Sequence, residues 1–195
     1  MRYLDHSMKY WEKVIKKELD SKKYRHSLGV AYTSSCLAMK YGVDMEQAYF
    51  AGLFHDIAKG IDNDYKIKLC HEYQLEVKSV AYDNPELLHA VLGAKICELD
   101  YDVQDEDLLN AIAYHTTGRP DMSDLEKIVY IADYIEPNRS ELPQLEDVRR
   151  IAFEDLNRAL VIILHSSLEY LNKNAAGIDP LTQETYDYYK GETIQ

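Results

Sequence analysis

Apolar residues recur at intervals of three and four along most of this 195-residue chain, the spacing that gathers them on one face of an α-helix. Leu28, Ala31, Ser35 and Ala38 share such a face, and Ser21 stands where it would cap the start of that helix. Asp44, with Gln47 three residues later, reads as a capping box. It opens a second helix whose inner face runs Ala48, Ala51, Gly52 and His55, with Gly60 at the expected C-terminal cap. A further helix follows Asp62 or Asn63 through Tyr65, Ile67 and Leu69. Asn84-Pro85 places a capping residue before a proline at the first helical position. From about Asp105 to Tyr114, Leu108, Ala111 and Ile112 form another face that ends at His115, before a break at Gly118-Arg119-Pro120. Ser123 and Glu126 make a full capping box ahead of Leu125, Ile128, Val129, Ala132 and Asp133. A long helix is expected from about Leu145 to Asn172, and a short one after Asp179-Pro180.

The pattern predicts an all-α fold, a helical bundle formed as one domain over residues 1–195. With only eight glycines and five prolines, the chain lacks the turn density of an all-β protein. There is no internal repeat and no linker composition to divide it. At 46% hydrophobic and 29% charged, the sequence supports an ordinary core. Acids outnumber bases 34 to 22, a formal charge of −12, which argues against nucleic-acid polymers and anionic membranes as partners. The longest aliphatic run, residues 159–164, is far short of a membrane span, and Met1–His6 has no apolar secretory core. Three scattered cysteines, Cys36, Cys70 and Cys97, suit reduced thiols, so a cytoplasmic setting is expected. Apolar faces on the first and last helices suggest a homodimer.

Seven histidines are present. His6, His71 and His165 read as solvated or locally satisfied side chains. His26, His55, His89 and His115 fall at or near helix ends, His55 beside Asp56. Asp133 lies in an apolar run among Val129, Ala132 and Ile135, where a carboxylate needs a cation or donors to offset its desolvation. Tyrosine is abundant, at 17 residues. Tyr82, Tyr114 and Tyr134 lie nearest these positions, but helical spacing alone assigns none of them a base-stacking role.

Five segments carry this set: Arg25-His26-Ser27-Leu28-Gly29-Val30-Ala31, residues 51–59 around His55-Asp56, Leu87-Leu88-His89-Ala90, His115-Thr116-Thr117-Gly118-Arg119-Pro120, and residues 128–139 around Asp133. In this order they resemble the HD superfamily of metal-dependent phosphohydrolases, and within it the YqeK-type proteins that are similar to symmetrical diadenosine tetraphosphate hydrolases. The likeness covers about residues 22–139, with the C-terminal helices at 145–190 packing on that core.

The resemblance implies two divalent ions, iron foremost, with manganese, cobalt or zinc as alternatives. His26, His55, Asp56 and Asp133 would hold the first, and Asp56 would bridge to a second held by His89 and His115. A donor set of imidazoles and carboxylates without thiolate agrees with those metals. Two such ions against two aspartates leave about +2 at the site, so an acidic chain can still take a polyphosphate. Lys59 and Arg119, with Arg25 and Arg139 behind them, are the candidate cationic contacts. Thr116, Thr117 and Gly118 would offer hydroxyl and backbone N–H groups to phosphate oxygens.

The implied reaction is attack on phosphorus by a metal-bridged hydroxide, with Asp56 and Lys59 in the catalytic set, cutting diadenosine tetraphosphate into two ADP. From spacing alone the prediction stops at metal-assisted hydrolysis of a phosphate bond. Another nucleotide phosphohydrolase, a nucleotidase or phosphodiesterase, and a nucleotide-sensing module remain as alternatives.

Overall fold

The computed structural model describes residues 5–173 and 178–193, so most of the charged stretch Met1–His6 lies outside the described residues. Among these residues there are helices and no strand. The α-helices are Met8–Glu18 (α1), Ser21–Tyr41 (α2), Met45–Phe54 (α3), Asn63–Glu72 (α4), Ser79–Asp83 (α5), His89–Asp100 (α6), Glu106–Ala113 (α7), Asp124–Ile135 (α8), Leu145–Ile151 (α9), Leu156–Lys173 (α10) and Pro180–Thr193 (α11). Two 3₁₀ turns, Ile57–Gly60 and Pro85–Leu88, follow α3 and precede α6.

Short acidic and hydroxyl caps set the starts. Asp44 accepts from the Glu46 and Gln47 N–H groups, Asp62 from Asp64 and Asp105 from Leu108. Ser123 and Glu126 form the reciprocal box expected of them. Several expectations are corrected. Asp20, not Ser21, caps α2, because its carboxylate reaches the N–H groups of Lys22 and Lys23. The helix that Asp44 opens stops at Phe54 rather than near Gly60, since the His55 ring takes the Gly52 carbonyl at 2.7 Å. Asn84-Pro85 opens a 3₁₀ turn rather than the α-helix itself, and His89 is the first residue of α6. The long C-terminal helix is two helices. Asp155 accepts from the Arg158 N–H and starts α10 afresh, and the Tyr41 hydroxyl holds the Ala152 carbonyl between them. The helix after Asp179 is 14 residues long, not short, and α5 carries no signal strong enough to have been foreseen.

α2, α3, α7 and α8 pack together, with α6 on α7 and α10 between α8 and α11. Ile15, Leu37, Phe54, Leu108, Ile112, Leu125 and Ile128 are buried at the centre. Trp11 meets Phe50, Phe54 and Tyr101 edge-on, and the Tyr189 hydroxyl accepts the Met122 N–H. Trp11 of α1 and Tyr189 of α11 thus pack within the chain. A smaller apolar cluster, built on Ala58, Leu69, Cys70, Leu88 and Leu92, sits under α4 to α6. Between the two clusters the ends of α3, α6 and α7 converge.

Candidate metal centre

Asp56 follows the last turn of α3, and both of its oxygens face imidazoles. Its Oδ2 lies 3.4 Å from His55 Nε2 and 3.9 Å from His26 Nε2. Its Oδ1 lies 3.3 Å from His89 Nε2 and 3.6 Å from His115 Nε2. The ligand atoms therefore form two groups, His26–His55–Asp56 and Asp56–His89–His115, each within 4.8 Å and joined through one carboxylate. Asp133, from the last turn of α8, joins the first group: its Oδ1 is 2.8 Å from His26 Nε2 and 3.8 Å from His55 Nε2. All six expected residues meet in one place.

The outer side of each ring is tied down. His55, His89 and His115 direct Nδ1 at the carbonyl three residues earlier, on Gly52, Glu86 and Ile112. A carbonyl can only accept, so each Nδ1 carries a proton and each Nε2 is the ring nitrogen turned toward the cluster, with a lone pair to offer whenever the ring is neutral. His89 and His115 bring two such nitrogens within 3.2 Å, an arrangement that two lone pairs tolerate only with positive charge shared between them. His55 Nε2 and Asp56 Oδ1 are buried with no hydrogen-bond partner. Converging lone pairs, orphaned acceptors and fixed tautomers are what a cation would satisfy. The donor set is nitrogen and oxygen alone, and it fits a divalent metal.

His26 is fixed differently. Its Nδ1 donates to Glu136 Oε1 at 3.0 Å, while Glu136 Oε2 accepts from the backbone and side-chain nitrogens of Asn138 at 2.7 and 2.9 Å. A Cβ on Gly29 would stand 2.2 Å from Glu136 Oε2, so the bare backbone of α2 makes room for the carboxylate. Glu136 lies in the 128–139 segment but has no role in the sequence reading; an acid directly after an apolar helix is the signal that marks it. Burial alone would lower the His26 pKa, but hydrogen bonds to Asp133 and Glu136 outweigh it and lift the ring to about 9. Burial opposes ionisation of Asp56 and Asp133 too, yet the surrounding imidazoles, with Arg139 at Asp133, hold both carboxyls well below the usual range. His89, deep in the site, is pushed down by burial.

The HD domain model matches residues 24–138, which contain the whole cluster. The chain belongs to the HD family. Over 174 residues it is 39% identical to the symmetrical bis(5′-nucleosyl)-tetraphosphatase of Bacillus subtilis, covering 89% of this chain and 92% of that one. It is 42% identical, over the same shares, to the protein of that name from Halalkalibacterium halodurans. A crystal structure of a "predicted HD superfamily hydrolase involved in NAD metabolism" from Clostridium acetobutylicum matches with a TM-score of 0.91 at 38% identity, covering 96% of this chain and 98% of that one.

Two unlike clefts meet at this HD cluster. One, of about 410 Å³, reaches His115 and Asp133 and is walled by Tyr130, Tyr134, Leu142, Ile163 and Tyr170. The other, of about 790 Å³, reaches His26 and Asp56, and Arg25, Lys59 and Arg139 stand along it. Lys59 donates to Asp56 Oδ2 at 2.9 Å and Arg139 to Asp133 Oδ1 at 2.6 Å. Thr116 and Thr117 line the apolar cleft, though the Thr117 hydroxyl is spent on the Gly118 carbonyl.

Gly118 and Arg119 are placed elsewhere. Gly118, at φ +63°, packs so tightly on α11 that a Cβ would lie 2.7 Å from Thr185 Cγ2. Arg119 gives Nε and Nη2 to buried Glu126, both at 2.7 Å, and lies over the Tyr114 ring. Of the three tyrosines nearest the motifs, only Tyr134 reaches the cleft; Tyr82 faces His71. His6 stacks on Tyr10 and His165 lies beside Tyr186, away from the cluster.

Proposed function

We propose that this HD protein hydrolyses dinucleoside polyphosphates, cutting diadenosine tetraphosphate symmetrically into two ADP. The observation that carries the reading is Asp56 facing two histidine groups, one with each oxygen. The substrate follows from the names of the relatives that match nearly the whole chain.

Two divalent ions fit the six residues: one held by His26, His55, Asp56 and Asp133, the other by Asp56, His89 and His115. A site of imidazole and carboxylate without thiolate suits iron or manganese, with cobalt and zinc as alternatives, and the resemblance to the HD phosphohydrolases puts iron first. Bound there, the ions supply a water of lowered pKa and positive charge that offsets the phosphates.

The remaining work belongs to the chain. Lys59 and Arg139 rest on the carboxylates at the rim, on long side chains that reach from there to phosphate oxygens, and Arg25 adds charge on the same side. Thr116 lies beside His115 where the apolar cleft opens. That cleft is the only one of the two with aromatic walls, and it takes an adenosine: Tyr130 and Tyr134 offer ring faces to the base. The leaving group is a nucleoside diphosphate, a stable anion that needs no acid to protonate it. Gly118 and Arg119 are left out of the substrate contacts, because their neighbours already occupy them.

A chromatographic assay against diadenosine tetraphosphate tests the reading. Two ADP per substrate, abolished by chelator and restored by metal, is the expected result. ATP with AMP would overturn the symmetrical cut. Turnover confined to nucleoside monophosphates or cyclic nucleotides would replace the substrate class.

A further inference from the structure

We infer that the second, polar cleft is a site for the far phosphates of the substrate, and that the protein reads only one of the two nucleosides. The inference rests on the function proposed above. Lys22, Lys23, Arg25, Lys59 and Arg139 line this cleft against three carboxylates, in a chain whose acids outnumber its bases 34 to 22. The local excess of positive charge runs opposite to the whole molecule and begins at His26 and Asp56.

Some of that charge is already committed. Lys23 pairs with Asp20 at 2.6 Å, Lys59 with Asp56 at 2.9 Å and Arg139 with Asp133 at 2.6 Å. Lys22 and Arg25 are exposed, and among the described residues neither side chain has a recorded partner. They stand on the first two turns of α2, where the Lys22 and Lys23 N–H groups are already taken by the Asp20 carboxylate, so the side-chain charges are what remains for an anion.

Every side chain lining this cleft is polar, and no tyrosine, phenylalanine or tryptophan is among them. A purine laid there would lose water from its faces and gain no apolar contact. A chain of phosphates meets cations along its length. The apolar cleft reaches the cluster at His115 and Asp133 and the polar one at His26 and Asp56, with Arg139 on the wall of both, so a symmetrical substrate is held unsymmetrically: one adenosine between tyrosines, the second and third phosphates at the cluster, the fourth on Lys22 and Arg25. A smaller apolar hollow of about 280 Å³ shares Leu87, Thr116, Thr117 and Asp179 with the first cleft, but none of the six cluster residues lines it. It shares no lining residue with the polar cleft and so does not receive the far end.

The second nucleoside is then dispensable. Adenosine 5′-tetraphosphate plus water should give ADP and pyrophosphate: the water oxygen joins one phosphorus, and the bond between the second and third phosphates breaks, its bridging oxygen leaving with the other half. The experiment compares this compound with diadenosine tetraphosphate on the metal-loaded protein, for wild type, the K22E/R25E double variant and Lys40→Glu, which reverses an exposed charge at the far end of the same helix.

We expect kcat/KM for the two substrates to agree within tenfold, with ADP and pyrophosphate as products of the shorter one. K22E/R25E should raise KM at least tenfold for both at little-changed kcat, and Lys40→Glu should leave KM alone. A preference above tenfold for the dinucleoside, or a KM indifferent to K22E/R25E, overturns the inference while the proposed function stands. A wild type that cuts neither compound removes both.

Discussion

Asp56 reaches both histidine groups because its two oxygens point in different directions, and neighbouring histidines are informative only by what they reach. His89 Nε2 lies 3.3 Å from Asp56, whereas His71 Nε2 faces the Tyr82 hydroxyl at 3.3 Å on the exposed side of α4. His89→Ala should abolish turnover, and His71→Ala should keep it within about twofold, as expected of an exposed side chain. Equal losses from both would break the assignment. Gly29 tests the support behind His26. Gly29→Ala puts a methyl 2.2 Å from Glu136 Oε2, and it should cost about 1–3 kcal/mol by overpacking. By dislodging the partner of His26 it should also weaken metal affinity about 10- to 100-fold. Denaturant melts and competitive chelator titration measure the two, and no change in either would mean Glu136 does not fix the ring.

At the scale of the element, three histidines end or begin helices by turning Nδ1 onto the carbonyl three residues back, so the helix breaks and the metal geometry have one cause. Arg119 shows the reverse case, a motif residue engaged in structure. It anchors buried Glu126, which also completes the capping box of α8, the helix that carries Asp133. Arg119→Ala should therefore cost about 1–3 kcal/mol, the penalty for leaving a buried acceptor unpaired, with KM for substrate within twofold of wild type. A tenfold rise in KM at unchanged stability would return Arg119 to the substrate.

The helical fold and the six cluster residues were legible in the sequence, because a 3.6-residue period and side-chain caps are local signals and the His/Asp segments are distinctive as a set. Ser123 and Glu126 capped as written, whereas Asp44 caps α3 without the reciprocal bond of a box, because the Gln47 side chain donates to Asp105 instead. What was not legible depended on distant contacts. Glu136 needed Gly29 on another helix to make room for it. The division of the C-terminal helix hung on Asp155 and on Tyr41 from α2, with no proline or glycine to announce it. The aromatic walls of the apolar cleft come from α8 and α10, and no spacing within either helix says that they face each other.

Across the whole molecule, α10 and α11 close on α8, and burial separates the three thiols. Cys36 is exposed, while burial raises the pKa of Cys70 and Cys97 and hides both. Native protein should present one thiol to Ellman's reagent and three after denaturation; three fast-reacting thiols in the native state would contradict the packing of α4 and α6. The claim on which the account turns is that one carboxylate serves two ions, and elemental analysis of anaerobically purified protein tests it most directly. Close to two metal ions per chain are expected in the wild type, falling below one in Asp56→Asn with loss of turnover. A fully active protein with one ion or none per chain, or an Asp56→Asn variant that keeps both ions, would contradict it.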